Sequence, residues 1–254
     1  YLQHMKENNA LLIEDIERLS KNYLLSESDA SHVRRLQSEL ESFETAIIEA
    51  TSNQDEPTQA YSILEENLES LQENLKEIED EQISVSERLT QIEKDDINAR
   101  QKANVYVNRL HTIKRYMEKR NLPGIPQTFL KLFFTASNNT EDLMVELEQK
   151  MINIESVTRV LEIATNDMEA LETETYNIVQ YATLTEQLLQ YSNRYRSFDE
   201  RIQEDFNEAL DIFEKEFDYR ASFDKISQAL EVAEPGVTNR FVTSYEKTRE
   251  TIRF

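Results

Sequence analysis

A regular pattern of apolar residues runs from Tyr61 to Met117, where they recur at alternating steps of three and four. Such spacing, sustained over eight heptads, is typical of a helix that packs lengthwise against other helices. Fifteen of the 17 positions are apolar, and the exceptions are Gln82 and Asp96. The seam positions are Tyr61, Leu64, Leu68, Leu71, Leu75, Ile78, Gln82, Val85, Leu89, Ile92, Asp96, Ala99, Ala103, Tyr106, Leu110, Ile113 and Met117.

The long helix has clear start and stop signals. No glycine or further proline follows Pro57 before Arg120, and Pro57 suits the first helical position because the N–H it lacks has no helical partner there. Residues 121–126, Asn-Leu-Pro-Gly-Ile-Pro, form the sharpest corner in the sequence. We therefore predict one continuous helix over residues 58–120, about 95 Å long at ~1.5 Å per residue. This length exceeds a single compact bundle, so the helix is expected to serve two packing units.

Two shorter amphipathic segments precede the long helix. Residues 1–24 carry a helical apolar stripe, Ser26 is a suitable N-cap, and a second stripe continues to Ile47 before a polar turn at 51–55. Short connections force neighbouring helices to run antiparallel. We therefore predict an all-α fold of antiparallel three-helix bundles. Residues 1–88 form the first, and residues 89–254 form a C-terminal helical bundle region that shares the long helix.

Capping signals place the remaining helices. Thr140, followed by two acidic residues, favours the start of a long helix that continues to Ile178, and a shorter segment follows at 184–195. Further helix starts are expected at Ser197, where Glu200 completes a capping box, at Ser222 and at Thr238, with a stop at Pro235 and Gly236.

Composition supports the all-α prediction and limits the possible partners. The 254 residues include only two glycines and four prolines, too few for the turns that sheets require. The net charge of −22 argues against binding to nucleic acid, which is recognised through lysine and arginine, and against anionic membrane surfaces. No apolar run reaches the roughly 18 residues that a membrane-spanning helix needs. The sequence opens within a helical pattern, as an excised fragment would.

The sequence shows no pattern typical of catalysis or cofactor binding. His4, His32 and His111 are isolated from spaced ligand partners, so we predict no metal site. The chain lacks cysteine, and two glycines cannot form a glycine-rich phosphate loop. With 50 acidic residues, pairs of carboxylates arise by chance and nominate no general acid or base. We therefore expect a protein that is not an enzyme and takes no cofactor.

Charge is distributed unevenly along the long helix. It carries −9 between Thr58 and Asn98 and +6 between Ala99 and Arg120. Bases near a helix C-terminus interact favourably with the helix dipole, which explains part of the asymmetry. The remainder is a candidate for orienting a partner.

One polar cluster differs from the carboxylate-rich surface predicted elsewhere. Gln187, Gln190 and Arg194 share a flank of a helix whose apolar stripe is formed by neighbouring residues, and Asn193 lies beside them. Amides and guanidinium groups form directional hydrogen bonds and can recognise a peptide backbone or a carboxylate. The alternatives are an ordinary polar face and amides that bridge helices inside the bundle.

Three stretches of the sequence resemble the EzrA family of septation ring formation regulators from low-GC Gram-positive bacteria. They are the corner Arg120–Pro126, the run Gln190–Arg196 and the tail Val237–Phe254. The resemblance is specific over about residues 100–254. It implies spectrin-like three-helix repeats joined end to end by shared long helices. It also implies a non-enzymatic regulator that binds FtsZ, modulates Z-ring assembly and scaffolds division and cell-wall synthesis proteins.

The same resemblance implies a location and a binding site. The location is the cytoplasmic face of the membrane at the division septum, with anchoring through a transmembrane segment absent from this chain. The family's partner-binding patch would fall on Gln190, Asn193 and Arg194, with Gln187 adjacent, and these four residues are the predicted partner-binding site.

Two other classes of function remain open from the sequence. A structural coiled-coil spacer rod has the same long seam but needs no localised binding patch. An acidic mimic of nucleic acid binds basic proteins through carboxylates spread over its surface, and its binding depends steeply on salt.

Overall fold

The computed structural model describes the backbone of residues 2–52, 57–195 and 200–248. It describes the side chains of these residues except at 29, 30, 46, 49–52 and 57–71. Within these ranges the fold is helical, and the only β-type pairing is an isolated bridge between Tyr23 and Ile152. The predicted all-α class is confirmed. The α-helices are α1 (Leu2–Leu19), α2 (Glu27–Ser52), α3 (Pro57–Lys119), α4 (Gln127–Leu147), α5 (Ile154–Ser192), α6 (Glu200–Asp211), α7 (Tyr219–Ala233) and α8 (Val237–Thr248), with a π-helical turn at Ile212–Glu216.

Helix α3 is continuous over its 63 residues, as the unbroken seam predicts. Every seam position from Leu75 to Met117 is buried or half-buried, and the earlier ones lie outside the described side chains. The two polar exceptions have defined partners. Gln82 donates from Nε2 to the carbonyl of Met5 at 3.0 Å, and Asp96 accepts hydrogen bonds from Tyr23 and Arg100. These bonds satisfy Asp96 and the Nε2 group of Gln82, whereas Oε1 of Gln82 is buried without a hydrogen-bond partner among the described residues.

The chain divides into two compact units. The first comprises Tyr1–Gln101 with Met144–Arg159, and the second comprises Lys102–Leu143 with Val160–Phe254. The spectrin-like repeat arrangement and its division near residue 88 remain predictions.

In the first unit, two apolar clusters hold α1, α2 and α3 together. Burial of apolar side chains is the main favourable term here, at roughly 25 cal/mol per Å² removed from water. One cluster is Met5, Leu36, Leu40 and Ile78, and the other is Leu12, Leu19, Val33, Val85 and Leu89.

The first helix is shorter than predicted, because tertiary pairing ends it at Leu19 rather than at residue 24. The N–H of Leu24 donates to the carbonyl of Ile152 at 2.8 Å, and the N–H of Ile152 donates to the carbonyl of Asn22 at 2.8 Å. These bonds are incompatible with a continued helix. The hydroxyl of Tyr23 is thereby placed 2.9 Å from Asp96 Oδ2.

The predicted helix start at Thr140 is wrong. Thr140 is a buried residue inside α4, and the break comes later, at residues 148–153. Asn153 forms the new start, since its Oδ1 accepts the N–H groups of Glu155 at 3.1 Å and Ser156 at 3.2 Å. This is N-capping by an Asn side chain. The segment predicted at 184–195 is the end of the same helix, α5.

In the second unit, the corner between α3 and α4 is closed by residues that follow the π-helical turn. Gly124 donates to the hydroxyl oxygen of Tyr219 at 3.3 Å, and that hydroxyl donates to the carbonyl of Gly124 at 2.7 Å. Phe217 packs against Gly124 and has a left-handed backbone with φ of 58°. The corner is therefore fixed by contacts to a segment about 95 residues away.

The sequence placed the start of α7 at Ser222, and the structure corrects this to Tyr219. Asp218 is the N-cap, because its side chain accepts the N–H of Ala221 at 3.0 Å. Ser222 is instead buried and donates to the carbonyl of Ala209 at 2.6 Å. The stop at Pro235 and Gly236 is confirmed. The predicted cap Ser197 lies outside the described residues.

Candidate functional site

The four residues of the amide–arginine surface, Gln187, Gln190, Asn193 and Arg194, lie at the C-terminal end of α5 and in the turn that follows it. All four side chains are exposed. The turn is closed by the N–H of Arg194 donating to the carbonyl of Tyr191 at 3.2 Å. Among the described residues, none forms a side-chain hydrogen bond with Gln187, Gln190 or Asn193, and no carboxylate pairs with Arg194. Within the described ranges, these amides therefore do not bridge helices.

The opposite face of the same segment is anchored in the core of the second unit. Leu184 and Leu188 are fully buried, and Ser192 donates from Oγ to the carbonyl of Leu189 at 2.6 Å. The surface therefore lies on one side of a helix whose other side is buried in the core. The supporting core contains Leu188, Leu189, Ile202, Phe206, Ala209, Ile226, Ala229, Leu230 and Val237.

Between the exposed and buried faces lie two half-buried tyrosines that share one carboxylate. Tyr191 and Tyr195 donate their hydroxyls to the same oxygen, Oε2 of Glu234, at 2.6 and 2.5 Å. Arg240 donates to the other oxygen of Glu234. The Tyr191 ring also packs edge-on against Phe241, with centroids 5.3 Å apart. This network joins the end of α5 to the α7–α8 junction.

The network fixes the charge state of Glu234. Hydrogen bonds from Tyr191 and Tyr195, together with Arg240, lower the pKa of Glu234 to about 2. The same bonds hold the pKa of Tyr195 well above its usual range, because ionisation would remove a donor from a carboxylate. Glu234 is therefore a carboxylate acceptor at neutral pH.

The junction itself is shaped by a second glutamate. Glu231 accepts the N–H of Gly236 at 2.7 Å and the N–H of Thr238 at 3.0 Å, which satisfies donors at the start of α8. These bonds lower the pKa of the Glu231 carboxyl. Gly236 takes a left-handed φ of 83°, a conformation that glycine adopts without steric cost.

Comparison with known proteins gives the family. The model of the family "Septation ring formation regulator, EzrA" matches residues 1–245. The chain belongs to the EzrA family. Proteins named septation ring formation regulator EzrA from Streptococcus pneumoniae strains Hungary19A-6, 70585 and JJA are each 92% identical to it over 254 residues. The match covers 100% of this chain and 44% of each relative, so the chain spans under half of their length. No solved structure matches the chain.

The structure of this EzrA-family chain adds residues to the candidate site that the sequence did not indicate. Glu234 lies 43 positions from Tyr191 and 39 from Tyr195, and no spacing rule links them. Pro235 and Gly236 predicted a turn in the sequence. They did not indicate that this turn would pack against the end of α5. Only packing of α7 and α8 against α5 brings Glu234, Arg240 and Phe241 beside the amide–arginine surface.

The basic end of α3, the other candidate for orienting a partner, is only partly available. Arg109 donates to Oε1 of Glu172 at 2.9 Å, which ties α3 to α5. Lys114, Arg115 and Lys119 are exposed. Arg109 therefore has a structural role in joining two helices, whereas the other three basic side chains are exposed to solvent.

A concave region of about 370 Å³ lies elsewhere in the second unit, between the start of α4 and the start of α7. Its wall includes Tyr181, Phe217 and Tyr219 and the carboxylates of Glu174 and Glu216. Within the described residues no group of three or more His, Cys, Asp or Glu side chains is arranged to hold a metal ion. The same portion of the chain contains no helix long and apolar enough to cross a membrane.

Proposed function

We propose that this chain is part of a non-enzymatic regulator of bacterial cell division that binds FtsZ, modulates Z-ring assembly and scaffolds other division proteins. Membership of the EzrA family supports this proposal, as do the names of its 92% identical relatives. The proposed place of action is the division septum, at the cytoplasmic face of the membrane. The helices are proposed to form spectrin-like bundles that hold the binding surface at a fixed position.

The binding surface we propose is Gln187, Gln190, Asn193 and Arg194. The observation that carries this choice is four exposed amide and guanidinium groups that stand on a fully buried support. Amides can pair with a peptide backbone, and a guanidinium can pair with a carboxylate in a bidentate manner. Because no described side chain hydrogen-bonds with the three amides and no described carboxylate pairs with Arg194, a partner can form these bonds without first breaking bonds to the described residues.

The test is a binding titration of the chain with purified FtsZ. We expect Gln190→Ala combined with Arg194→Ala to weaken binding about tenfold or more, as for central interface residues. Thermal stability should hardly change, because exposed substitutions usually alter it by less than about 0.5 kcal/mol. A matched control is Arg159→Ala with Gln203→Ala, which removes exposed side chains of the same types elsewhere.

Two results would count against the proposal. Equal binding by the double variant and its control would place the FtsZ contact elsewhere, with Lys114, Arg115 and Lys119 as the next residues to change. A sharp fall in melting temperature for the double variant would mean that the amides support the fold.

A spacer rod is the competing function, and the length of α3 favours it. A spacer is expected to show no local binding site, so both double variants would then behave like the unaltered chain. Charge reversal by Arg194→Glu adds a sharper test. It should repel an acidic ligand at the surface, and its effect should persist at moderate salt because the contact is short-range.

A further inference from the structure

The Arg194 side chain is held against an aromatic ring. Its guanidinium carbon lies 4.8 Å from the centroid of the Tyr191 ring, within the range of a cation–π interaction. Arginine side chains have many rotamers, and a partner that binds one must restrict them. The position of the Tyr191 ring therefore decides where the Arg194 guanidinium is presented.

The Tyr191 ring is in turn fixed from two sides. Phe241 contacts it edge-on, and its hydroxyl is bound to Oε2 of Glu234 at 2.6 Å. Tyr195 shares that oxygen at 2.5 Å and packs against Tyr191 with centroids 6.0 Å apart. Since Arg240 holds the second oxygen of Glu234, this carboxylate has donors on both oxygens and a defined orientation.

We infer that Glu234 is the positioning residue of the amide–arginine surface: through Tyr191 it holds Arg194 ready for a carboxylate of the partner. The charge arrangement agrees with this ligand. Arg240 pairs with Glu234, so this carboxylate does not compete with an external anion for Arg194. A bidentate pair between guanidinium and carboxylate depends on the orientation of the guanidinium plane, which explains why a fixed ring beneath it matters. The assignment of Arg194 as a ligand contact rests on the proposed function, whereas its placement by Glu234 does not.

The first test needs no partner. Protons above an aromatic ring resonate upfield, so the side-chain protons of Arg194 should be shifted in spectra of chain labelled with ¹³C-arginine, assigned by their loss in Arg194→Lys. We expect Glu234→Ala to move them most of the way to the values of a free arginine. Glu234→Gln keeps one oxygen acceptor for the tyrosine hydroxyls but loses the acceptor for Arg240, so it should keep more of the shift than Glu234→Ala does. Glu204→Ala, an exposed glutamate on α6, is the matched control.

The second test measures binding to purified FtsZ in the same variants. Glu234→Ala should weaken binding about two- to fivefold, the factor that corresponds to an exposed cation–π contact. Glu234→Gln should lose less binding than Glu234→Ala does. In an Arg194→Ala background, Glu234→Ala should cause no additional loss, whereas a general loss of structure would weaken binding in both backgrounds.

The two measurements separate failure of the inference from failure of the proposed function. An unchanged Arg194 shift in Glu234→Ala overturns the inference, whether or not FtsZ binds. An additional loss of binding in the Arg194→Ala background overturns it as well. If the unaltered chain does not bind FtsZ, the proposed function is wrong, and the shift alone then decides the role of Glu234.

Discussion

Replacement of Gly124 by alanine tests how the corner between α3 and α4 is held. Gly236, not Gly124, is the glycine with a left-handed backbone in the described residues, so Gly124 is not required for its conformational freedom. The constraint is space. A Cβ at this position would lie 2.4, 2.5 and 2.6 Å from three ring carbons of Phe217. Real Cβ contacts are longer than this, so the ring or the corner must move.

The expected cost combines two opposing effects. Forcing an extra carbon into a packed site costs about 1–3 kcal/mol. We take the upper part of this range, because Phe217 has a left-handed backbone and cannot follow its ring freely. Alanine also restricts the unfolded chain, which offsets about 0.4–1 kcal/mol. The net loss for Gly124→Ala should be about 2 kcal/mol.

Removal of the Phe217 ring should reverse the sign of the stability change caused by Gly124→Ala. In a Phe217→Ala background the three ring carbons are gone, and only the unfolded-state effect of alanine at position 124 remains. Gly124→Ala should then stabilise the chain by about 0.4–1 kcal/mol. The double-mutant cycle should therefore give a coupling energy of about 2–3 kcal/mol between the two positions.

The assay is urea unfolding followed by helical circular dichroism, which suits a chain without tryptophan. Where two transitions are resolved, the one belonging to the second unit is identified with Phe206→Ala. That side chain is fully buried, and its truncation should cost about 3–5 kcal/mol. An equal effect of Gly124→Ala in both backgrounds would refute the steric explanation.

Two further predictions concern the first unit. Leu89→Pro, inside α3, should lower stability by about 3 kcal/mol or more, because proline removes a helical hydrogen bond. In the same urea assay the loss should exceed that of Leu89→Ala, and equal losses would contradict a continuous helix there. Burial and the bond to Asp96 raise the pKa of Tyr23 to about 12 from 10.0. The contribution of this contact to stability should therefore be complete below pH 10 and disappear as the pH rises to about 12. Titration of chain labelled with ¹³C-tyrosine should show this late step, and Asp96→Asn should move it to lower pH; a step at the ordinary pKa would contradict the buried contact.

The sequence by itself determined the long helix and the helical class. The seam from Tyr61 to Met117 needs no tertiary information, because a repeat near 3.5 residues defines one side of a helix wherever that helix packs. The two ends of this helix were also predictable from local sequence, because Pro57 favours a helix start and the Pro-Gly corner ends a helix whatever packs around it. The exposed face with Gln190 and Arg194 was predictable for the same reason: helical periodicity separates it from Leu188.

The tertiary structure decided where helices end without glycine or proline, and which distant residues support the surface. The helix predicted to start at Thr140 starts at Ile154, after the N-cap Asn153, because residues 22–24 pair with Ile152 and favour a break there. Glu234 meets Tyr191 only after α7 and α8 pack against α5. Hydrogen bonds between residues about 40 positions apart leave no periodic trace in a sequence, since each partner is an ordinary residue of its own helix. Only the packing of the helices brings them within bonding distance.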